Sequence, residues 1–453
     1  MLSTNGSRLR HALGAVTDLP KLVWPIRGGY RLFLPYVADY AWPALQVAAA
    51  AHRRTTLRRT RVVAVVGSVG KTTAKRAIDA ALGDLAARHT EGNYGVSFAD
   101  NVLRTRSRDA YGVFEVGIAG PGRMASYAKL LAPHIVIATA VASDHHRSFP
   151  TLEHTRAEKV RMVSALRPDG LAVLNGDDPN TRWMATQTTA RVVTYGFGEE
   201  NDVRASDYRL DWPHGSRFTL HMDGQPREMT TRLLGRHQVY SILAAVAVAR
   251  AEGLPLGAVC ERLAALAPSK RRLQPIALPM GATLISDDLK SSIESIRAAL
   301  DVLAQIRAPR RILALGDILD PPGPARPFYR ELGERLVGIA DRVILIGSSN
   351  HQTLITAAVK AGMAREAFYH VKGHHWEPVV ERLRAELRAG DVVLLKSNDS
   401  RRLERITLAL TGHPVRCQAA YCRVRVSSCA QCPLMQQNGR TLSNRYIRLL
   451  ARP

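Results

Sequence analysis

The stretch VVAVVGSVGKTTAKRAI, residues 62–78, decides how the chain around it folds. Its first five residues, Val62–Val66, are all apolar, a run of strand length suited to burial on both faces. The residues after the glycine turn suit a helix, so the turn joins the carboxyl end of a strand to the amino end of a helix. Backbone amides converge there and the helix dipole presents its positive end, which together hold a phosphate. Gly67, Ser68, Val69, Gly70, Lys71, Thr72 and Thr73 therefore read as a shortened glycine-rich phosphate loop. Lys71 is placed to neutralise β/γ-phosphate charge, and the hydroxyl of Thr72 to sit on Mg²⁺. Hydrolysis, phosphoryl transfer and ligation all use such loops, so the motif implies ATP without choosing a reaction.

Outward from the loop, short apolar runs alternate with helical stretches. HIVIATAV, LAVLN and ARVVTYG follow it, and a second block from about Leu273 contains ATLISDD, RRILALGD, DRVILIGS and GDVVLLKS. These read as buried parallel strands with crossover helices. Between the blocks, residues 235–266 are helical by periodicity and are split by Gly253 and Pro255. The expected class is α/β: a central phosphate-loop ATPase domain on a parallel sheet, then a Rossmann-like α/β domain. At roughly 150 residues per domain, 453 residues call for two or three. The divisions fall at 1–60, 61–268, 269–412 and 413–453.

Composition narrows the class. An apolar fraction of 46% excludes a disordered chain and a multi-span membrane protein. The net charge of +24 favours anionic partners, or else reflects arginines spread over solvated surfaces. No nucleic-acid module accompanies the charge, so nucleic acid is not an expected partner. The first residues lack the apolar core of a cleavable signal, which makes the cytoplasm the default compartment. Residues 1–60 are rich in Pro, Trp, Tyr and Arg, and LFLPYVADYAWPALQVAAAA is about long enough to span a bilayer. Asp39 and two prolines argue instead for peripheral membrane contact through residues 20–55, or for a helix packed on the protein's own surface.

Four of the five cysteines, Cys417, Cys422, Cys429 and Cys432, lie within 16 residues of the tail. Four thiolates can enclose Zn²⁺ and stabilise a segment too small for a core of its own. An iron–sulfur cluster or unliganded thiols are the other readings.

GSVGKTT, followed by TEGNYGVSFADNVL, resembles the ATP-binding domain of the Mur ligases, amide-forming enzymes of peptidoglycan synthesis. The resemblance runs from about Arg61 to Ile406. It is nearest the branch that adds D-alanyl-D-alanine to a UDP-N-acetylmuramoyl tripeptide. It implies a magnesium site: Glu115 at a strand end, His145 in SDHHRSF, and Lys159, fourteen residues after His145, where the family carries a carbamylated lysine. A carbamate makes that amine carboxylate-like and able to hold a second Mg²⁺. Alone, each of these residues also suits an ordinary surface or helix position. The resemblance further implies Gln238 near the base, with Gln238 and Ser241 in place of the usual asparagines, and Arg272 near the nucleotide. It aligns SDDLKSS with the family's D-D-x-Y-N-A-N-P, so Asp288 and Lys290 are expected at the nucleotide or acyl phosphate. The other reading is a polar turn with Ser291 or Ser292 capping the next helix. In GDVVLLKSNDSRRLE, Lys396, Arg402 and Glu404 keep the family offsets, whereas Ser397 and Asp399 replace a glycine and an arginine. The reversal at Asp399 points to an acceptor other than D-alanyl-D-alanine. The family binds its UDP-sugar on a separate amino-terminal domain, for which 61 residues are too few.

The resulting expectation is an ATP- and magnesium-dependent ligase joining a small acid to an amine through an acyl phosphate, with Lys71, Lys159 and His145 catalytic. The alternatives are a nucleotide-binding scaffold and an ATPase that drives a partner.

Overall fold

The computed structural model describes residues 41–435 apart from 91, 94, 119, 143–147, 319, 320, 322, 348, 349, 374, 420, 421 and 423–427. Its first sheet contains β1 (Arg61–Val66), β2 (Tyr111–Glu115), β3 (Ile135–Ala138), β4 (Leu171–Asn175), β5 (Arg191–Gly196), β6 (Val203–Asp211), β7 (Gly215–Met222) and β8 (Gln225–Thr231). The spatial order is β2-β1-β3-β4-β5-β6-β7-β8. The ladders are parallel from β2 through β6, and β6, β7 and β8 pair antiparallel.

The apolar run of β1 is divided between two cores by the pleat. Val63 and Val65 pack with helices Lys71–Leu82, Arg236–Ala251 and Leu256–Ala264. Val62, Ala64 and Val66 face the opposite layer, with Phe98, Met124, Leu131 and Met162. No residue from Val62 to Val66 retains any exposure, which is why the strand reads as continuous rather than alternating.

The second sheet contains β9 (Gln274–Ala277), β10 (Thr283–Asp287), β11 (Arg311–Leu315), β12 (Arg342–Gly347), β13 (Phe368–Lys372) and β14 (Val392–Lys396). Its order is β13-β12-β11-β14-β10-β9, parallel except for β9. Alternate residues again feed two cores, Leu313 and Leu394 into one and Ala314 and Leu395 into the other. The expected α/β class with parallel sheets therefore holds in both blocks.

The antiparallel extension β6–β8 went unread in the sequence because its strands are half-exposed and rich in Arg, Asp and Thr. Asp223–Gly224, both at positive φ, mark the β7–β8 hairpin and were the available signal. At the amino-terminal side, helix Trp42–Thr55 packs on the protein's own body. Trp42 meets Tyr127 edge to face, Gln46 donates to Ser126, and the Arg53 guanidinium donates to the carbonyls of Leu57, Leu131 and Ala132. Residues 1–40 lie outside the described residues. No helix among the described residues is long and apolar enough to cross a membrane.

One carboxylate ties the carboxyl end of the first sheet together. Asp177, just beyond β4, accepts from the amides of Phe197 and Gly198, from Asn201 Nδ2 and from the hydroxyl of Tyr240. Burial works to raise its pKa, and these hydrogen bonds outweigh burial and hold it below the ordinary value. Asp177→Asn is expected to lose about 1.5–3 kcal/mol of stability at neutral pH. A depressed carboxylate contributes fully above its unfolded pKa of about 3.9 and loses that contribution as pH falls through the lower folded value. Urea unfolding of the two proteins from pH 7 down to pH 3 should show the difference shrinking only below about pH 4.

Candidate active site

The glycine turn is held in shape by the protein's own hydrogen bonds. Gly67 and Gly70 both lie at positive φ. A Cβ on Gly67 would stand 1.9 Å from Thr139 Oγ1, so no other residue fits that position. The same hydroxyl donates to the carbonyls of Val66 and Val69, at 3.1 and 2.6 Å. Ser68 is fastened to the chain beyond β3, its amide on the Ala140 carbonyl and its hydroxyl on the Ala142 carbonyl. The helix Lys71–Leu82 begins directly after the turn, leaving its first amides for an anion.

Two lysines meet at this loop. Lys71 Nζ donates to the carbonyls of Gly67 and Ser68, at 2.8 and 3.0 Å. Lys159 Nζ, from the helix Leu152–Val163, donates to the same Gly67 carbonyl at 2.8 Å. Thr151 caps that helix through the amide of His154 and sets where it starts. Lys71 and Lys159 are buried, with 8% and 3% of their surface exposed. Glu115 ends β2 opposite Val65 of β1. Its buried carboxylate accepts from Asn93 Nδ2 at 2.7 Å. In the sequence, only the Gly-Asn pair at 92–93 marks Asn93. His145 falls at positions outside the described residues.

The carboxyl ends of the second sheet close over the loop. A cavity of about 230 Å³ is lined by Ser68–Thr73, Asn93 and Glu115 from one side and by Arg272, Asp287, Lys290 and Lys396 from the other. Gln238 and Ser241 line it from the first turns of helix Arg236–Ala251. Arg272 Nη2 donates to Thr72 Oγ1 at 3.2 Å, a direct bond between the two halves. Glu294 and Ser295, on the first turn of helix Ile293–Gln305, complete the wall, and Ser292 caps that helix.

Asp288 is placed differently from the expectation. It is fully buried away from the cavity, bound to Arg271 and Ser286. Its neighbour Asp287 faces the cavity instead and pairs with Lys396 at 2.7 Å. Adjacent residues at a strand end point to opposite faces, and β10 ends with Asp287 on the cleft side. Burial pushes the Lys396 ammonium down, and the Asp287 charge opposes it. Lys290 lines the cavity, and its carbonyl accepts from Lys396 Nζ.

Arg271, one residue before the bridging arginine, is held by Asp288 at 2.9 Å, Asp399 at 2.7 Å and Glu404 at 3.7 Å. Burial works against its charge, and the three carboxylates more than restore it. Asp399 also meets Arg402 at 3.1 Å. The reversed charge at Asp399 is therefore neutralised within the protein.

The cysteine tail does not form the expected zinc site. Among the described residues, which include all four cysteines, no group of three or more His, Cys, Asp or Glu side chains could hold a metal ion. Burial raises the Cys429 thiol far above its ordinary value and pushes Cys432 up to about 11. The tail is fastened by Arg405 and Glu404. The fully buried Arg405 guanidinium donates to the carbonyls of Arg401, Arg402, Cys417 and Ala419. Glu404 accepts from the Ser428 hydroxyl and the Cys429 amide.

Residues 65–249 match the family described as the Mur ligase middle domain, and residues 271–398 the Mur ligase, glutamate ligase domain. The UDP-N-acetylmuramoyl-tripeptide--D-alanyl-D-alanine ligase of Mycobacterium tuberculosis is 31% identical over 374 residues, 78% of this chain and 73% of that protein. Its counterpart in Bacillus subtilis is 26% identical over 363 residues, 79% of this chain and 77% of that protein. Among solved structures, the MurF ligase of Thermotoga maritima in complex with ADP superposes with a TM-score of 0.71, over 82% of this chain and 83% of that one, at 20% identity. MurF of Acinetobacter baumannii superposes with a TM-score of 0.70, over 81% and 80%, at 23% identity.

Removing one member of the Asp287–Lys396 pair leaves a buried charge alone. Asp287→Ala is expected to cost about 3–5 kcal/mol of stability, and Asp287→Leu combined with Lys396→Met to recover most of it. Urea unfolding of the single and double variants measures this. An additive double variant would mean that the two charges do not depend on each other.

Proposed function

The chain belongs to the Mur ligase family, and from that premise we propose that it is an ATP-dependent amide ligase of peptidoglycan synthesis which activates a carboxylate as an acyl phosphate. The observation that carries the reading is the meeting of Lys71 and Lys159 on one loop carbonyl, in a cleft that Arg272 and Lys396 close from the other side. A substrate carboxylate oxygen attacks the γ-phosphorus of ATP, the bond to the β–γ bridging oxygen breaks, and ADP leaves. The amine nitrogen then attacks the acyl carbon and gives up one proton, and the carbon–oxygen bond to phosphate breaks through a tetrahedral intermediate, releasing phosphate that carries that proton away. Lys71 and Arg272 meet the charge that develops on the transferring phosphoryl group. The two-sided cavity excludes water from the acyl phosphate, which would otherwise be hydrolysed.

The donor set suits magnesium. The Thr72 hydroxyl and the buried Glu115 carboxylate are hard oxygen ligands, and Asn93 fixes the orientation of the latter. When bound there, Mg²⁺ supplies charge neutralisation on the phosphate oxygens. Lys159 supports the family's carbamate. Its Nζ and that of Lys71 are no farther apart than twice a hydrogen-bond length, and two buried ammonium groups so close repel strongly. Addition of CO₂ to the neutral amine with loss of one proton removes that repulsion. The carbamate nitrogen keeps one hydrogen for the Gly67 carbonyl.

The acid and amine we propose are of the kind stated in the relatives' name, a UDP-linked muramoyl peptide and a D-amino-acid dipeptide. The charge of Asp399 no longer argues against that acceptor, since Arg271 and Arg402 neutralise it.

Purified protein given ATP, the acid and the amine should release phosphate fully only when both co-substrates are present, with an amide product identified by mass. Lys71→Ala should lower turnover by about a hundredfold or more, and near-normal synthesis by that variant would remove the assignment. Lys159→Ala should lose activity and regain part of it with added acetate or formate, which can occupy the vacated carboxylate position. Lys71→Ala should not respond to either. Absence of any recovery in Lys159→Ala would remove the carbamate from the reading.

A further inference from the structure

The helix that starts at the phosphate loop ends at a second, larger cavity. Twelve residues at about 1.5 Å each separate the two by some 18 Å. This cavity, about 1400 Å³, is lined by the end of that helix at Asp79, Ala80 and Gly83, by Arg88 and His89, and by the turn Arg104–Asp109. It lies at the amino ends of β1 and β2, opposite the end that carries the candidate active site. None of the activity described above uses it.

Its floor is tied together by hydrogen bonds. Thr105 is buried and holds two imidazoles: its carbonyl accepts from His52 Nε2, and its hydroxyl is hydrogen-bonded to His89 Nε2, both at 2.9 Å. His89 is further fixed by the Val113 carbonyl and stacks on Phe114. Burial pushes its pKa down to about 4, so it is a neutral hydrogen-bonding group at physiological pH. The walls are guanidinium groups. Arg88, Arg106 and Arg108 are exposed, and their side chains make no ion pair with any described carboxylate. Arg104 is paired outside the cavity with Asp100.

Three acids, Asp79, Asp84 and Asp109, also line the space, and two of them are partly spent. Asp79 is paired with Lys75, and Asp109 accepts from the amide of Arg106. The carbonyl end of helix Lys71–Leu82 would oppose an anion. Arg262 covers two of those carbonyls, Ala80 and Ala81, at 3.0 and 2.6 Å. Arg54, Arg58 and Arg59, beside the lining residue Thr56, are exposed and extend the positive surface.

We propose that this cavity is a second anion site which takes phosphate-bearing ligands, separate from the nucleotide. Forked guanidinium donors match phosphate oxygens, and the volume exceeds what a single phosphate fills. The lining contains no Trp, Tyr or Phe to stack a base and no Asn or Gln to read a base edge, which disfavours nucleic acid. The phosphate comes either from a soluble polyphosphorylated compound or from an anionic lipid headgroup.

The test uses the full chain with saturating ADP, so that the phosphate loop is occupied. Inorganic tripolyphosphate is titrated by calorimetry, and co-sedimentation is measured with vesicles of phosphatidylcholine alone or mixed equally with phosphatidylglycerol. The wild type should bind tripolyphosphate, the mixed vesicles or both, with affinity falling as salt rises. The triple variant Arg88→Glu, Arg106→Glu, Arg108→Glu should lose at least about tenfold in affinity, while its ADP affinity and unfolding midpoint stay unchanged. Should the triple variant not fold, Arg108→Glu alone, in the exposed turn, should still weaken binding. Response to tripolyphosphate alone supports a soluble ligand, and response to mixed vesicles alone supports a headgroup. Binding that is absent in the wild type, or equal in wild type and variants, overturns the proposal. So does retention of duplex DNA by a protein that binds neither probe.

Discussion

The carbonyl of Gly67 is the point on which the candidate active site turns. It can receive two lysines because the loop bends sharply there, and the loop bends sharply because no side chain stands between Gly67 and Thr139. Thr139 belongs to the chain leaving β3, and Lys159 to a helix still further on. One glycine therefore brings three separate segments to the place where phosphate charge must be met. Replacing it would displace either the hydroxyl that shapes the loop or the loop itself, and with it both amines.

The second constraint is the closure of one sheet on the other. Arg272 reaches Thr72 across the cleft, and its backbone neighbour Arg271 is anchored by the carboxylates of Asp288, Asp399 and Glu404. Arg271 sits at positive φ, as does Leu273, an unusual geometry for side-chain-bearing residues that the ion pairs of Arg271 help to hold. Glu404 belongs to the same set and also holds the tail through Ser428 and Cys429. The cysteine-bearing tail is thus connected to the residue next to the arginine that bridges the cleft, through the Arg271–Glu404 ion pair and the hydrogen bonds of Glu404, without a metal cluster among the described residues.

Parts of this were readable from residue order and parts were not. The phosphate loop is local: strand, glycine turn, lysine and helix are contiguous, and the periodicity of each side follows from its own residues. Glu115 was readable as a strand end. The choice between Asp287 and Asp288 was not, because it depends on which of two neighbouring side chains the strand turns toward the cleft. Asn93 was not, because an asparagine in a loop has no periodicity to betray it. The tail misled for a related reason. Cysteine spacing suggests a ligand set, but the hydrogen bonds of Arg405 and Glu404 decide where the tail lies, and they do not gather the four thiols into a metal site.

By itself the sequence determined the alternation of strands and helices and the loop that holds phosphate, since these rest on interactions within a few residues of one another. Only the tertiary structure decided which carboxylate enters the cleft, what neutralises Asp399, and that Arg88 and the turn Arg104–Asp109 wall a second cavity. The Asp287–Lys396 and Arg271–Asp399 pairs join residues more than a hundred positions apart, and the cavity depends on how separate elements pack, so no local pattern carries the information.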